Sequence, residues 1–179
     1  MNIEVEVRSF ISEEQYRQLI MFMQQNAEFV KEDNQITYYF SGEYDLRIQK
    51  NDFFSKIWFK KGKIHDPHRE EIEIKFEKEK FKELEKLFLS LGYIVDIKWF
   101  RKRNLFNWNN ISVAIDFTKG YGHIIELEKM SNEKDKQEVY EQLKQKLLEL
   151  GVKLTPKEEF ENKFNYYKKN WRTLVNEKP

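Results

Sequence analysis

The residues able to do chemistry in this chain come as alternating charges. Glu4, Glu6 and Arg8 occupy every second position of Ile3-Glu4-Val5-Glu6-Val7-Arg8. Arg69, Glu71, Glu73 and Lys75 do the same around Ile72 and Ile74. Trp99, Arg101 and Arg103 share one spacing, and Glu126 and Glu128 alternate with Ile125 and Leu127. Arg47 lies between Leu46 and Ile48, Asp116 between Ile115 and Phe117, and Lys60 keeps step with Lys56 and Trp58. Strand side chains two apart point to the same face. Each run therefore offers an apolar face and a face of mixed strong charge. Basic groups hold phosphate oxygens and carboxylates hold hard metal ions, so the set suits a polyanion carried with divalent metal.

A single strand of this kind is ordinarily amphipathic with its charges in water. Recurrence in nearly every strand-like run carries more weight. If helices cover the apolar faces from outside, the charges are left pointing inward, into a polar tunnel. Burying them costs several kcal/mol each unless they are paired or bind counter-ions.

The elements that must position these groups are written twice. Residues 3–10 and 70–77 are alternating strands, and each is followed by an amphipathic helical pattern. The first pattern carries Tyr16, Leu19, Ile20 and Met23, with Ser12 and Gln15 as a capping box. The second carries Phe81, Leu84, Leu87, Phe88 and Leu91. Three strand-like runs follow each helix, near 28–40, 44–50 and 54–61, then near 93–106, 111–118 and 122–130. Turns are expected at Ser41-Gly42, Asn109-Asn110 and Lys119-Gly120. Two helices end the chain: Val139, Leu143, Leu147 and Leu150 stripe 132–150, and Phe160, Phe164, Tyr167, Trp171 and Leu174 stripe 156–176. These stripes read as helices laid over the sheet. The expectation is one α+β domain over 1–179, a closed eight-stranded antiparallel β tunnel built from a doubled β-α-β-β-β unit with helices packed outside. Its core would be 1–130, in repeats of about 1–68 and 69–130, with C-terminal helices over 131–179.

Bulk composition narrows the classes. With 179 residues and no cysteine, a disulfide framework and thiolate metal sites are excluded, and a cytoplasmic setting is the default. The charged N-terminal segment does not read as a signal peptide, and no apolar run is long enough to span a bilayer. Lys and Arg total 32 and Asp and Glu 31, a net charge of +1 that directs the chain to neither nucleic acid nor membrane. His65, Asp66 and His68 flank Pro67 and read as a solvated turn rather than a transition-metal site. His123 reads as a structural or surface histidine.

The ordered set resembles the CYTH superfamily of triphosphate tunnel metalloenzymes, which includes class IV adenylate cyclases, thiamine triphosphatases and inorganic triphosphatases. Glu4-Val5-Glu6-Val7-Arg8 is similar to the family's opening Glu-x-Glu-x-Lys. Leu46-Arg47-Ile48-Gln49 looks like its Leu-Arg-Ile-Arg strand, and Lys60 or Lys61 before Gly62 like its lysine before a glycine turn. Arg69-Glu70-Glu71-Ile72-Glu73, Arg101-Lys102-Arg103, Val113-Ala114-Ile115-Asp116 and the closing Gly120-Tyr121-Gly122…Glu126-Leu127-Glu128 follow in family order, from residue 3 to about 130. Phe106 stands where the family often has an aromatic.

The resemblance implies roles. Arg8, Arg47, Lys60, Arg69, Arg101 and Arg103 would grip phosphate, and Glu4, Glu6, Glu126, Glu128 and Asp116 would hold Mg²⁺ or Mn²⁺. Glu71 and Glu73 would be secondary acids, and Glu4, Glu6 and Arg8 would stand at the reaction. The partner would be a small-molecule triphosphate (inorganic triphosphate, ATP or thiamine triphosphate), and the protein a monomer or homodimer. Hydrolysis is the first reading, conversion of ATP to cyclic AMP the second, and a non-catalytic polyphosphate or nucleotide-binding module the third. Two departures bear on the choice. Arg8 replaces the signature lysine and cannot accept a proton, though it can clamp phosphate, and Gln49 removes one cation.

Overall fold

The computed structural model describes residues 3–61 and 70–177, and the side chains of all of these except 61, 70 and 71. The elements run β1 (Ile3–Ile11), α1 (Glu13–Asn26), β2 (Glu28–Phe40), β3 (Asp45–Lys50), β4 (Phe54–Lys61), β5 (Glu70–Glu77), α2 (Phe81–Ser90), β6 (Val95–Trp108), β7 (Ile111–Thr118), β8 (Gly122–Ser131), α3 (Lys136–Glu149) and α4 (Lys157–Leu174). The fold is α+β, with an eight-stranded antiparallel sheet in the order β1-β8-β7-β6-β2-β3-β4-β5 and four helices.

Local chemistry accounts for the boundaries. Ser12 accepts from the Gln15 backbone N–H while the Gln15 side chain accepts from Ser12 N–H, so α1 begins at a complete capping box. The β6–β7 turn places Asn109 at φ 53° and Asn110 at φ 61°. That is the left-handed geometry of a two-residue hairpin turn, which asparagine tolerates.

Two compact units divide the chain, Met1–Glu32 with Lys102–Asn162, and Asp33–Arg101 with Lys163–Pro179. In the first, the apolar faces of β1, β7 and β8 (Val5, Val7, Val113, Ile115, Ile125 and Leu127) pack with Leu19 and Met23 of α1 and Val139, Leu143 and Leu147 of α3. Alternation thus puts Glu4, Glu6 and Arg8 on the other face of β1. Ser9 ties the segment after α3 to β1, donating to the Lys153 carbonyl and accepting from Thr155 N–H at 2.9 Å.

In the second unit, Tyr38, Phe40 and Ile48 pack with Phe81, Leu84 and Phe88 of α2. The α2 stripe is narrower than its spacing predicts, because Leu87 and Leu91 remain exposed. The helix rests on β3 and β4. On the edge strand β5, Ile72 and Ile74 keep 50% and 51% of their surface in solvent, so the expected apolar face is only half covered there. The second-unit part of α4 is anchored by its ends of polarity: Tyr167 Oη donates to the Lys98 carbonyl (2.8 Å) and Trp171 Nε1 to that of Asp96 (2.9 Å). Among the described residues no helix is long and apolar enough to cross a membrane.

Candidate functional site

In the first unit, strand register sets the charges in rows. Glu6 pairs with Glu128 and Arg8 with Glu126 across β1 and β8, while Glu126 and Glu128 lie opposite Ala114 and Ser112 of β7. Arg103 of β6 closes the set: its guanidinium donates to both oxygens of Asp116 (2.7–3.1 Å) and to Glu126 (3.2 Å). Burial works against the charge on Arg103, but Asp116 and Glu126 more than offset it and hold the guanidinium firmly protonated. The Glu128 carboxyl behaves differently. Burial, then Glu4, Glu126 and Glu6, push it up to about 7, with Arg103 acting in the other direction.

Arg8 has a second neighbour besides Glu126. Its guanidinium lies 4.7 Å from the ring centre of Phe160, which itself stacks on Phe10 (4.2 Å, 26°). A planar guanidinium suits such a contact better than an ammonium.

The second unit carries a separate charged face. Across β2, β3, β4 and β5 one row reads Thr37, Gln49, Lys56, Lys75 and the next Tyr39, Arg47, Trp58, Glu73. Arg47 is buried, donating to both Asp45 oxygens at 2.6 and 2.5 Å, with Tyr39 and Trp58 rings 4.3 and 4.9 Å away. Lys56 pairs with Glu73 at 2.5 Å. Burial alone would raise Glu73, but Lys56 and Lys75 bring it below the usual carboxylate range. Arg101 donates twice to the amide oxygen of Gln35 (2.9 and 2.6 Å), whose Nε2 donates to buried Asp33. Gln49, the departure from the resembled Leu-Arg-Ile-Arg strand, donates to Thr37 Oγ1 at 2.9 Å.

The expected residues are thus grouped by unit. Glu4, Glu6, Arg8, Arg103, Asp116, Glu126 and Glu128 belong to the first, and Arg47, Lys60, Glu73 and Arg101 to the second. Asp116 has both oxygens taken by Arg103, which fits it to orient that cation. Lys60 lies on the charged face beside Trp58, its Nζ 4.1 Å from the ring centre. Arg69, His65, Asp66 and His68 lie outside the described residues, as does the Glu71 side chain. His123 packs against Tyr16 and Phe117 (4.7 and 4.9 Å between ring centres). Asp45, Gln35 and Asp33 were not anticipated. The spacing Asp45-x-Arg47 was the available signal for the first, since residues two apart share a face.

Among the described residues no three carboxylates or imidazoles converge into a ready metal cage. The donor chemistry still fits a hard cation. The oxygens are all carboxylate, Glu6 faces Glu128 in register, and Glu128 is raised by three neighbouring acids whose repulsion a cation would relieve.

A family model described as the CYTH domain matches residues 2–164. The chain belongs to the CYTH family. Members of the family are enzymes, adenylate cyclases and triphosphatases among them, that bind triphosphates such as ATP and are in general metal-dependent. No curated protein matches this CYTH chain. Solved structures share its fold. A conserved hypothetical protein from Pyrococcus furiosus is 23% identical at TM-score 0.70, over 84% of this chain and 91% of its own. A Vibrio parahaemolyticus protein proposed to be an adenylate cyclase is 16% identical at TM-score 0.66, over 84% and 90%. A chain of the Schizosaccharomyces pombe Mediator head module is 10% identical at TM-score 0.60, over 84% and 95%. One fold thus occurs in very different settings, and function has to be argued from side chains.

Proposed function

We propose that this CYTH protein is a divalent-metal-dependent enzyme that hydrolyses a triphosphate: inorganic triphosphate, a nucleoside triphosphate or thiamine triphosphate. The observation that carries the reading is the row Glu6–Glu128 beside the row Arg8–Glu126, acids able to hold metal next to a cation able to hold phosphate. Glu4, Glu6, Glu126 and Glu128 would hold Mg²⁺ or Mn²⁺, with Asp116 positioning Arg103. The metal, when bound, would supply a Lewis acid for phosphoryl oxygens and lower the pKa of an attacking water.

Arg8 and Arg103 bind and orient phosphate oxygens in this reading and neutralise the charge that develops during phosphoryl transfer. Arg47, Lys60, Arg69 and Arg101 are assigned to phosphate as well. Arg8 keeps its proton throughout, so deprotonation of the nucleophile falls to a carboxylate or to solvent. Lack of cysteine supports a cytoplasmic setting, and a monomer or homodimer is proposed with it.

The likeness to a proposed adenylate cyclase favours a second reading, cyclisation of ATP with loss of pyrophosphate. A product assay separates the two. Purified protein is incubated with inorganic triphosphate, ATP and thiamine triphosphate, with Mg²⁺ or Mn²⁺ and with chelator, and the products are resolved by phosphorus NMR. Metal-dependent orthophosphate is expected. Cyclic AMP with pyrophosphate would replace hydrolysis by cyclisation. Binding without turnover would leave a polyphosphate or nucleotide-binding module.

A further inference from the structure

Strand β5 ends the sheet, and it pairs with β4 along an unbroken register from Phe54 with Glu77 to Lys61 with Glu70. Neither a bulge nor a proline interrupts it, and these are two of the devices by which natural edges resist pairing. Ile72, Ile74 and Phe76 share one face of the strand. Ile74 faces Ile57 in register and Ile57 faces Ile48, so this is the face that α2 covers over β3 and β4. Over β5 the cover stops, and Ile72 and Ile74 stay half exposed.

The helix adds to the uncovered surface. Phe81, Leu84 and Phe88 are buried against the sheet, which turns Leu87 and Leu91 to one flank of α2 and Lys82 and Glu85 to the other. Lys82 lies within electrostatic reach of Tyr38 on β2, and Glu85 of Lys98 on β6. Both strands lie on the far side of β3 from β5. The flank turned toward β5 is therefore the one carrying Leu87 and Leu91, 50% and 64% exposed. Four exposed aliphatic side chains thus border an edge that pairs with no other strand among the described residues.

The charges on the other face of β5 indicate what covers this edge. A second copy of β5, running antiparallel about a two-fold axis, keeps the two apolar faces on one side when the pairing centres on a residue. Centred on Ile74, the strand sets Ile74 against its own copy, Ile72 against Phe76, and Glu73 against Lys75 on both sides of the axis. One residue earlier, Glu73 would oppose Glu73; one later, Lys75 would oppose Lys75. Opposite charges across strands attract and like charges repel, so the Ile74 register is selected. Lys75 keeps 61% of its side chain exposed and can reach across. The like-charge opposition that remains, position 71 with position 77, falls at the strand ends.

We propose that β5 is a homodimer interface, at which two copies pair antiparallel about Ile74 and continue one sheet from chain to chain. The Ile72 and Ile74 side chains of both copies then lie side by side, bordered by Leu87 and Leu91 of each α2. This selects the homodimer from the two states considered above and stands apart from the triphosphate reading.

The test is sedimentation equilibrium of the full chain across about 1–200 μM, the weak end of affinities for a small interface. A mass of about twice 22.1 kDa is expected at the upper concentrations. Ile74→Lys sets two ammonium groups on the axis and is expected to stay monomeric, with unchanged circular dichroism. A second measurement fixes the register. The chain has no cysteine, so Ile74→Cys gives each copy a single thiol. Those thiols meet across the axis and are expected to join through a short bismaleimide, whereas the thiols of Ile72→Cys stand about 13 Å apart along the strands and are not. A wild type that is monomeric throughout overturns the proposal, as does a folded Ile74→Lys that still dimerises. If Ile74→Lys does not fold, the cross-linking decides, and equal yields from Ile72→Cys and Ile74→Cys overturn it.

Discussion

Glu6 of β1 and Glu128 of β8 are direct cross-strand partners, two carboxylates set face to face by backbone register. Like charges in that relationship destabilise a sheet, so the metal-free fold carries a local cost that a bound cation would remove.

Glu128→Gln should therefore stabilise the metal-free protein by about 0.5–1 kcal/mol and reduce its stabilisation by Mn²⁺. Urea unfolding at pH 8 in chelator, then with added MnCl₂, reads both effects. A variant less stable than wild type in chelator would show that the pair is not repulsive.

The same carboxyl gives the metal-free protein a pH dependence. Burial and its acidic neighbours put it at about 7 in the folded chain, against an ordinary 4.5. A folded state that holds the proton more tightly than the unfolded one gains stability that is complete below pH 4.5 and lost as pH rises through 7. Discounted for partial exposure, the loss is about 1–2 kcal/mol. Urea midpoints in chelator at pH 5, 6, 7 and 8 should show the decline in wild type and a flatter course in Glu128→Gln. Stabilisation by Mn²⁺ should grow over the same range, because binding requires the carboxylate.

Asp116→Asn removes the charge that accepts from Nε and Nη2 of Arg103. Glu126 remains at 3.2 Å, so the guanidinium keeps one partner. The expected cost is about 3 kcal/mol, the low end for breaking a buried ion pair. Chemical denaturation measures it, and a loss below 0.5 kcal/mol (roughly the value of an exposed pair) would show that Asp116 is dispensable to Arg103.

Arg8→Lys keeps the charge but gives up flat contact with Phe160. Triphosphate KM is expected to rise about threefold, whereas Arg8→Ala should lower kcat/KM about a hundredfold. Steady-state kinetics with inorganic triphosphate distinguish them. Faster turnover in Arg8→Lys would mean that a proton acceptor is what this position lacks.

Much of the architecture was legible in the residue pattern. All eight strands fall close to the expected runs, and the asparagine turn and the Ser12 cap stand where their chemistry placed them. Facing was legible too, since Lys60 keeps step with Lys56 and Trp58. What alternation does not encode is register, which decides opposition across strands. Glu6 against Glu128 brings together residues far apart in the chain, and no local spacing announces it. Partners absorbed by the cations were hidden for the same reason: Gln35 meets Arg101 only because β2 lies beside β6 in the sheet. Coverage was the other gap. Ile72 and Ile74 have the spacing of core residues, yet they sit on an edge strand.

The pairing of β1 with β8 also has a consequence during synthesis. Ile11 meets His123 and Ile3 meets Ser131, so β1 leaves the ribosome long before the strand it pairs with. At roughly 5–20 residues per second the delay is on the order of ten seconds. Throughout that interval a nascent β1 presents an unsatisfied hydrogen-bonding edge, the kind of surface on which chains aggregate. Glu4, Glu6 and Arg8 interrupt its apolar character at every second residue, acting as gatekeepers for the growing chain before they have anything to bind.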